Sequence, residues 1–367
     1  MYIENENFTR EENAVFALRS LFEGYGFKKY KMSRFEEYEL YAQNKSFLES
    51  ERIITFTDLN GRLMALKPDV TLSIVKNTLA GENVGDVKYH YNEEVFRADS
   101  SDREIRKIMQ VGVEHIGDID LYATVETILL AKQSLTLIDE NNLLDLSHLG
   151  FVSGLLFGVS EAAKPKLLKC IAEKNTHEIF GVCEKYGIDE KRAQALAELS
   201  QIYGPVENAL ESAKKLIIND EMQAAFDELS EIYSIMKNTG YGQNINLDFS
   251  IVNDMSYYNG VIFQGYVQNV PTYVLSGGRY DRLIEKMGGK GQKAVGFAVY
   301  LDLIGLYDSE GSGNDCDILI IYDEKTNAAK LFETVRAYVQ TGRTVLTAKD
   351  YGEIRAEDTV DMRGVCE

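Results

Sequence analysis

The chain has 367 residues, enough for two or three domains at roughly 100–200 residues each. Hydrophobic residues make up 45%, an ordinary value for a chain with a real core. Basic residues number 39 against 58 acidic ones, a formal net charge of −19, and such a surface repels a polyphosphate backbone unless its basic residues cluster. Nucleic acid is therefore disfavoured as the main partner. Cys170, Cys183, Cys316 and Cys366 show no C-x2-C spacing, which argues against zinc and for a reduced, cytosolic chain. The start, Met1 to Asn7, is acidic and polar without a signal-peptide core. No apolar run approaches the ~18–20 residues that span a membrane.

Taken in chain order, residues 9–26 read as a helix whose stripe of Ala14, Val15, Ala17, Leu18, Leu21 and Phe22 ends at Gly24 and Gly26. Residues 51–66 read as a hairpin turning at Asp58-Leu59-Asn60-Gly61, and 87–97 and 107–117 as two further strands. From about 155 to 238 the texture is helical. Leu196, Leu199, Ile202 and Tyr203 share a face that Gly204-Pro205 closes, and Met222, Phe226, Leu229, Tyr233 and Met236 recur at packing distance on another helix. Strand texture returns at 245–252, 259–268 and 271–276, then a glycine-rich turn leads to a helix at 279–287. After the loop 309–314, a strand (317–322), a helix (326–340) and a second strand near 344–347 form a small α/β unit at 315–367.

Four segments carry chemistry. In Gln110-Val111-Gly112-Val113-Glu114, alternation puts Gln110, Gly112 and Glu114 on one face and the valines on the other. The polar face is either solvated or the floor of a site. In the second case Glu114 can accept from an imidazole N–H, Gln110 can hold an amine or carboxylate, and Gly112 lets a ligand approach the backbone. In Lys67-Pro68-Asp69-Val70-Thr71, Asp69 and Thr71 head a predicted helix and by themselves read as a cap. Tyr257-Tyr258-Asn259-Gly260 is a turn entering a strand. Gly277-Gly278 before Arg279-Tyr280-Asp281 reads as a tight turn, with anion binding as the alternative.

In this order, the four segments resemble the histidyl-tRNA synthetase catalytic domain, over about residues 5–307. Lys67-Pro68-Asp69-Val70-Thr71 is similar to its Arg-Pro-Glu-Gly-Thr. Phe96-Arg97 through Glu114 is similar to the motif 2 strand-loop-strand of class II synthetases. Met255-Ser256-Tyr257-Tyr258-Asn259-Gly260 resembles the histidine-recognition segment Leu-Asp-Tyr-Tyr-Thr-Gly. Gly277 to Asp281 and Gly296-Phe297-Ala298 resemble the approach to motif 3. The resemblance implies an α+β fold: a mixed, mostly antiparallel sheet of six or seven strands with flanking helices over 1–308, and a helical insertion at 155–238. It also implies that Asp69, Thr71, Gln110, Glu114 and Tyr258 hold the histidine amino group and ring, that Tyr280 walls the pocket, and that Arg97 meets an anion.

The departures point further. Asn253 stands where the family's histidine segment begins with an arginine, and Leu303 where motif 3 ends with one. The loop 98–103 is short and acidic, the motif 1 proline is missing near Ser33-Arg34-Phe35, and the unit at 315–367 is about half an anticodon-binding domain. Adenylate formation depends on positioning and electrostatics around phosphorus, and each missing donor is worth on the order of 10²–10³ in rate. Loss of the nucleotide half with retention of the histidine half resembles the regulatory subunits of short-form ATP phosphoribosyltransferase. That resemblance implies a non-catalytic homodimer within a hetero-oligomer, with a catalytic subunit and L-histidine as partners, no tRNA, no membrane, no cofactor and no metal. A divergent histidyl-tRNA synthetase and an amino-acid-activating paralogue are the rival readings.

Overall fold

The frame is a pair of long strands, β5 (Val87–Ala98) and β6 (Ile105–Gly117), joined antiparallel over their whole length. A computed structural model describes residues 9–44, 47, 53–81, 85–98, 104–252, 257–306 and 314–365, in two units, Met1–Gly305 and Leu306–Glu367. The N-terminal residues 1–7, the acidic stretch 99–103, the segment 253–256 with Asn253, the linker residues 309–313 and Cys366 lie outside the described residues.

Around β5 and β6 the first unit assembles β1 (Lys28–Lys29), β7 (Asn142–His148), β8 (Tyr203–Pro205), β9 (Ile245–Asp248), β10 (Val261–Val267), β11 (Leu275–Arg279) and β12 (Lys293–Tyr300). Their order is β1-β5-β6-β12-β11-β10-β7-β9-β8, nine strands among the described residues. Only β1–β5 and β7–β9 run parallel. The expected six or seven strands fall short because β1 and β8 are two- and three-residue edge strands without a readable period. A separate three-stranded sheet holds β2 (Phe35–Glu37), β3 (Thr55–Thr57) and β4 (Leu63–Leu66), in order β2-β4-β3.

Helix α1 (Arg10–Gly24) begins at a capping box in which Thr9 accepts from the Glu12 N–H and the Glu12 carboxylate accepts from the Thr9 N–H. Then come α2 (Tyr38–Gln43), α3 (Thr71–Leu79), α4 (Leu121–Ile138) and α5 (Leu149–Leu155). Leu18 and Phe22 of α1, Ile128 and Leu135 of α4, and Val111 and Val113 of β6 share one apolar core. The valine face of β6 therefore looks into that core, as alternation requires. The helical region holds α6 (Lys164–Ala172), α7 (Thr176–Tyr186), α8 (Glu190–Ser200), α9 (Val206–Lys214) and α10 (Asp220–Asn238). In α10, Met222, Leu229, Tyr233 and Met236 are buried as the spacing predicts, with Phe226 half-buried. The reading of α8 is corrected at its end: the helix stops at Ser200, and Tyr203 is exposed on β8 rather than sharing the face of Leu196 and Leu199.

The unit closes with α11 (Asp281–Lys286) and α12 (Leu301–Leu306). Gly277 and Gly278 are not a turn. They lie inside β11, where a Cβ on Gly277 would strike Phe297 and one on Gly278 would strike Ile262. Glycine here serves close approach of neighbouring strands. The second unit contains β13 (Cys316–Ile321), α13 (Ala328–Gln340), β14 (Val345–Ala348) and β15 (Ala356–Asp361), a parallel sheet in order β14-β13-β15. The third strand was not expected. Its sequence, Ala356-Glu357-Asp358-Thr359-Val360-Asp361, is too acidic to show an apolar period.

Candidate functional site

On the face of the sheet opposite the α1–α4 core, the first turn of α3, the ends of β5 and β11, and the middle of β6 and β12 enclose a cavity of about 300 Å³. That is the small end of the range of roughly 300–1,000 Å³ typical of small-molecule sites. Asp69, Thr71, Arg97, Gln110, Glu114, Tyr258 and Tyr280 all line it. The sequence scatters these seven over two hundred residues, and the fold brings them to one place.

The floor is β6. Gln110 is 4% exposed and Glu114 2%, so the polar face of this strand is buried rather than solvated. Glu114 sits in a hydroxyl clamp. Thr71 Oγ1 donates to its Oε1 at 2.6 Å, and the Tyr280 hydroxyl donates to its Oε2. Across the strand pair, Gly296 faces Glu114, and any Cβ there would collide with the carboxylate. Burial pushes the Glu114 carboxyl up to about 8, against the two hydroxyl bonds and with help from Asp69. Without a cation in contact, a buried carboxylate favours its neutral form.

Asp69 does what a cap residue does and also lines the cavity. Its Oδ1 accepts from the Leu72 N–H at 2.8 Å. Burial raises its pKa, while that backbone bond and Arg97 pull it down. Arg97 is anchored by an Nε bond of 2.9 Å to the Pro68 carbonyl. Thr71 is not a cap at all; its hydroxyl belongs to Glu114. Beneath the same turn Lys67 is buried in an ion pair with Glu93, whose other oxygen accepts from the Met32 N–H at 3.3 Å.

One side of the cavity is aromatic. Tyr257 lies with its ring centroid 4.7 Å from that of Tyr258 and 5.5 Å from that of Tyr280. Burial drives the hydroxyls of Tyr257, Tyr280 and Tyr91 well above their ordinary range, so all three act as neutral hydrogen-bonding groups. Tyr91 was missed by sequence reasoning, and Gly112 was misread. The space above Gly112 is filled by the Tyr91 side chain, whose hydroxyl would lie 2.6 Å from a Cβ at Gly112. The two residues are partners in the β5–β6 register. The usable signal was a tyrosine opposite a glycine, but it requires knowing the register. Tyr257, Ser276 and Tyr300 also line the cavity beyond the expected set.

A family model described as histidyl-tRNA synthetase matches residues 3–304. The chain belongs to that family. Within it, the chain is similar to the ATP phosphoribosyltransferase regulatory subunit of Clostridium kluyveri, with 30% identity over 344 residues, 89% of this chain and 85% of that one. The protein of the same description from Oceanobacillus iheyensis is 27% identical over 301 residues, 81% of this chain and 74% of its own. A crystal structure from Bacillus halodurans, described as an ATP phosphoribosyltransferase regulatory subunit/histidyl-tRNA synthetase, shares the fold with a TM-score of 0.76. Its identity is 23%, and 98% of this chain and 97% of that chain are covered. Leu303 of α12 packs against the main apolar core. No described helix is long and apolar enough to cross a membrane.

Proposed function

We propose that this chain is a regulatory subunit of ATP phosphoribosyltransferase, required by a separate catalytic subunit and carrying feedback inhibition by histidine in histidine biosynthesis. The observation that carries the reading is a cavity whose floor carboxylate is held in place by two hydroxyls. Glu114 is clamped by Thr71 and Tyr280, and Leu303 turns into the core. Free L-histidine fits the cavity chemically. Its imidazole N–H meets Glu114, its ammonium the Asp69 side, and its carboxylate Gln110 and Arg97. The chain itself is non-catalytic in this reading, and it works as a homodimer within a hetero-oligomer. The similarity to relatives described as regulatory subunits supports it.

The test mixes this protein with a short catalytic subunit of ATP phosphoribosyltransferase. Activity is expected only with both proteins present, and histidine is expected to inhibit it. ATP–pyrophosphate exchange with histidine is expected to stay at background. Robust exchange would overturn the reading in favour of a synthetase or another amino-acid-activating enzyme.

A further inference from the structure

A chain of polar contacts leaves the cavity and ends on the helical region. Tyr280, which clamps Glu114, lies between Arg279 and Asp281. Arg279 Nε donates to Asp281 Oδ2 at 2.7 Å, and Asp281 Oδ1 accepts from the Ala294 N–H at 3.0 Å. Asn259 ties the tyrosine turn to the same post: its N–H donates to the Arg279 carbonyl at 3.0 Å and its Nδ2 to Asp281 at 3.3 Å. On its other side Arg279 Nη1 is 3.8 Å from Glu228 Oε1 of α10. Glu228 Oε2 in turn meets His148 Nε2 at 3.1 Å. The tautomer follows from the neighbouring bond. His148 Nδ1 accepts from the Gly150 N–H at 3.1 Å, so Nε2 carries the proton and donates. That bond holds the Glu228 carboxyl below its usual range in spite of burial.

We propose that Glu228 and Arg279 form a bridge through which occupancy of the cavity is felt by α10, and through which α10 sets ligand affinity. This rests on the histidine reading of the cavity. Both are positioning residues: neither lines the cavity, and both act on the segments that carry Tyr257, Tyr258 and Tyr280. The soft member is Asn259. Its Oδ1 is buried without a partner among the described residues. Among the described residues one polar group of the tyrosine turn is thus unsatisfied, a condition a bound ligand can change by moving the turn. Any movement of that turn pulls on Arg279, and Arg279 reaches α10 at Glu228. Linkage makes the effect reciprocal, so loosening α10 at Glu228 weakens the ligand by the factor with which the ligand orders α10.

The experiment compares wild type with Glu228→Gln and His148→Asn by calorimetry with L-histidine and by hydrogen exchange. Asparagine at 148 keeps the cap on α5 but removes the bond that holds the other oxygen of Glu228, so it loosens the α10 end of the bridge if Glu228→Gln does not fold. In wild type, histidine is expected to slow exchange in 220–238 as well as in 257–261 and 275–281. In the variants the protection of 220–238 is expected to vanish, the other two segments to keep theirs, and the dissociation constant to rise roughly two- to thirtyfold. Unchanged affinity together with unchanged protection of α10 in a folded variant overturns the bridge alone. A wild-type protein that does not bind histidine overturns the ligand reading and the bridge with it.

Discussion

Glu93 and Glu114 lie on the same face of the sheet, Glu93 opposite Gln110 in the β5–β6 register and Glu114 four residues further along β6. Glu93 has a dedicated cation, the buried Lys67, and a backbone donor at Met32. Glu114 has two neutral hydroxyls and, among the described residues, no cation bonded to it. Burying a charge beside its counter-ion produces a structural post, because both valences are consumed. Burying one among hydroxyls leaves it without a counter-charge, so it favours its neutral form until a positive or N–H-bearing ligand arrives. Glu93 thus supports the turn 67–71, whereas Glu114 is the carboxylate we propose to read a ligand in the cavity above it.

Removing the cation is the largest test of that difference. Lys67→Ala leaves the mostly buried Glu93 without its counter-ion and with the Met32 N–H as its remaining donor, a change that costs about 3–5 kcal/mol in comparable pairs. Urea unfolding of the first unit is expected to lose stability on that scale. A loss below about 1 kcal/mol, the range of exposed pairs, would mean that Glu93 is not a post.

The second test uses pH. The folded pKa of Glu114 is raised to about 8 from an ordinary 4.5. A raised carboxyl binds its proton more tightly in the fold than in the unfolded chain. Its contribution to stability is therefore complete below about pH 4.5 and is lost as pH rises towards 8. Glutamine has the same shape and does not titrate. The melting temperature of Glu114→Gln minus that of wild type is thus expected to grow between pH 5 and pH 8.5. A difference that stays flat over that range would show that Glu114 is already ionised in the fold.

Much of this site was legible because a strand has a side-chain period of two. Gln110 and Glu114 could be placed on one face, and Val111 and Val113 in the core, without any tertiary knowledge. Asp69, Thr71, Tyr258, Tyr280 and Arg97 came from resemblance, since a cap and a pocket wall look alike along the chain. What stayed hidden depends on register. Tyr91 fills the space over Gly112 only because residues twenty-one positions apart are paired. Gly277-Gly278 looked like a turn because local rules favour that reading. Phe297 and Ile262, the neighbours that require glycine there, are distant in sequence or on another strand. The partner of Lys67 is likewise twenty-six residues away.

The smallest expected effect is on ligand affinity, and it bears most directly on the role of Glu114. A charge-assisted bond from an imidazole N–H to Glu114 is worth about 1.5–3 kcal/mol, and a neutral one to glutamine about 0.5–1.5. Above about pH 8, where the carboxyl is already ionised, Glu114→Gln is therefore expected to weaken histidine binding about tenfold, since 1.4 kcal/mol is one factor of ten. The variant must also lose a pH dependence. In the empty wild-type cavity the carboxyl is protonated below about pH 8, whereas the charge-assisted bond needs it ionised. Binding then releases a proton, and affinity rises with pH by up to about tenfold per unit between the ordinary imidazole pKa of about 6.5 and 8. Above that window the slope flattens, because Glu114 no longer has a proton to lose. Calorimetry across pH 6.5–8.5 in two buffers of different ionisation enthalpy measures both the affinity and the proton released. A wild-type affinity that does not change with pH would mean that histidine enters as imidazolium and brings its own proton. If Glu114→Gln kept the full wild-type slope, the titrating group would be another member of the cavity, with Asp69, also raised by burial, the next to test.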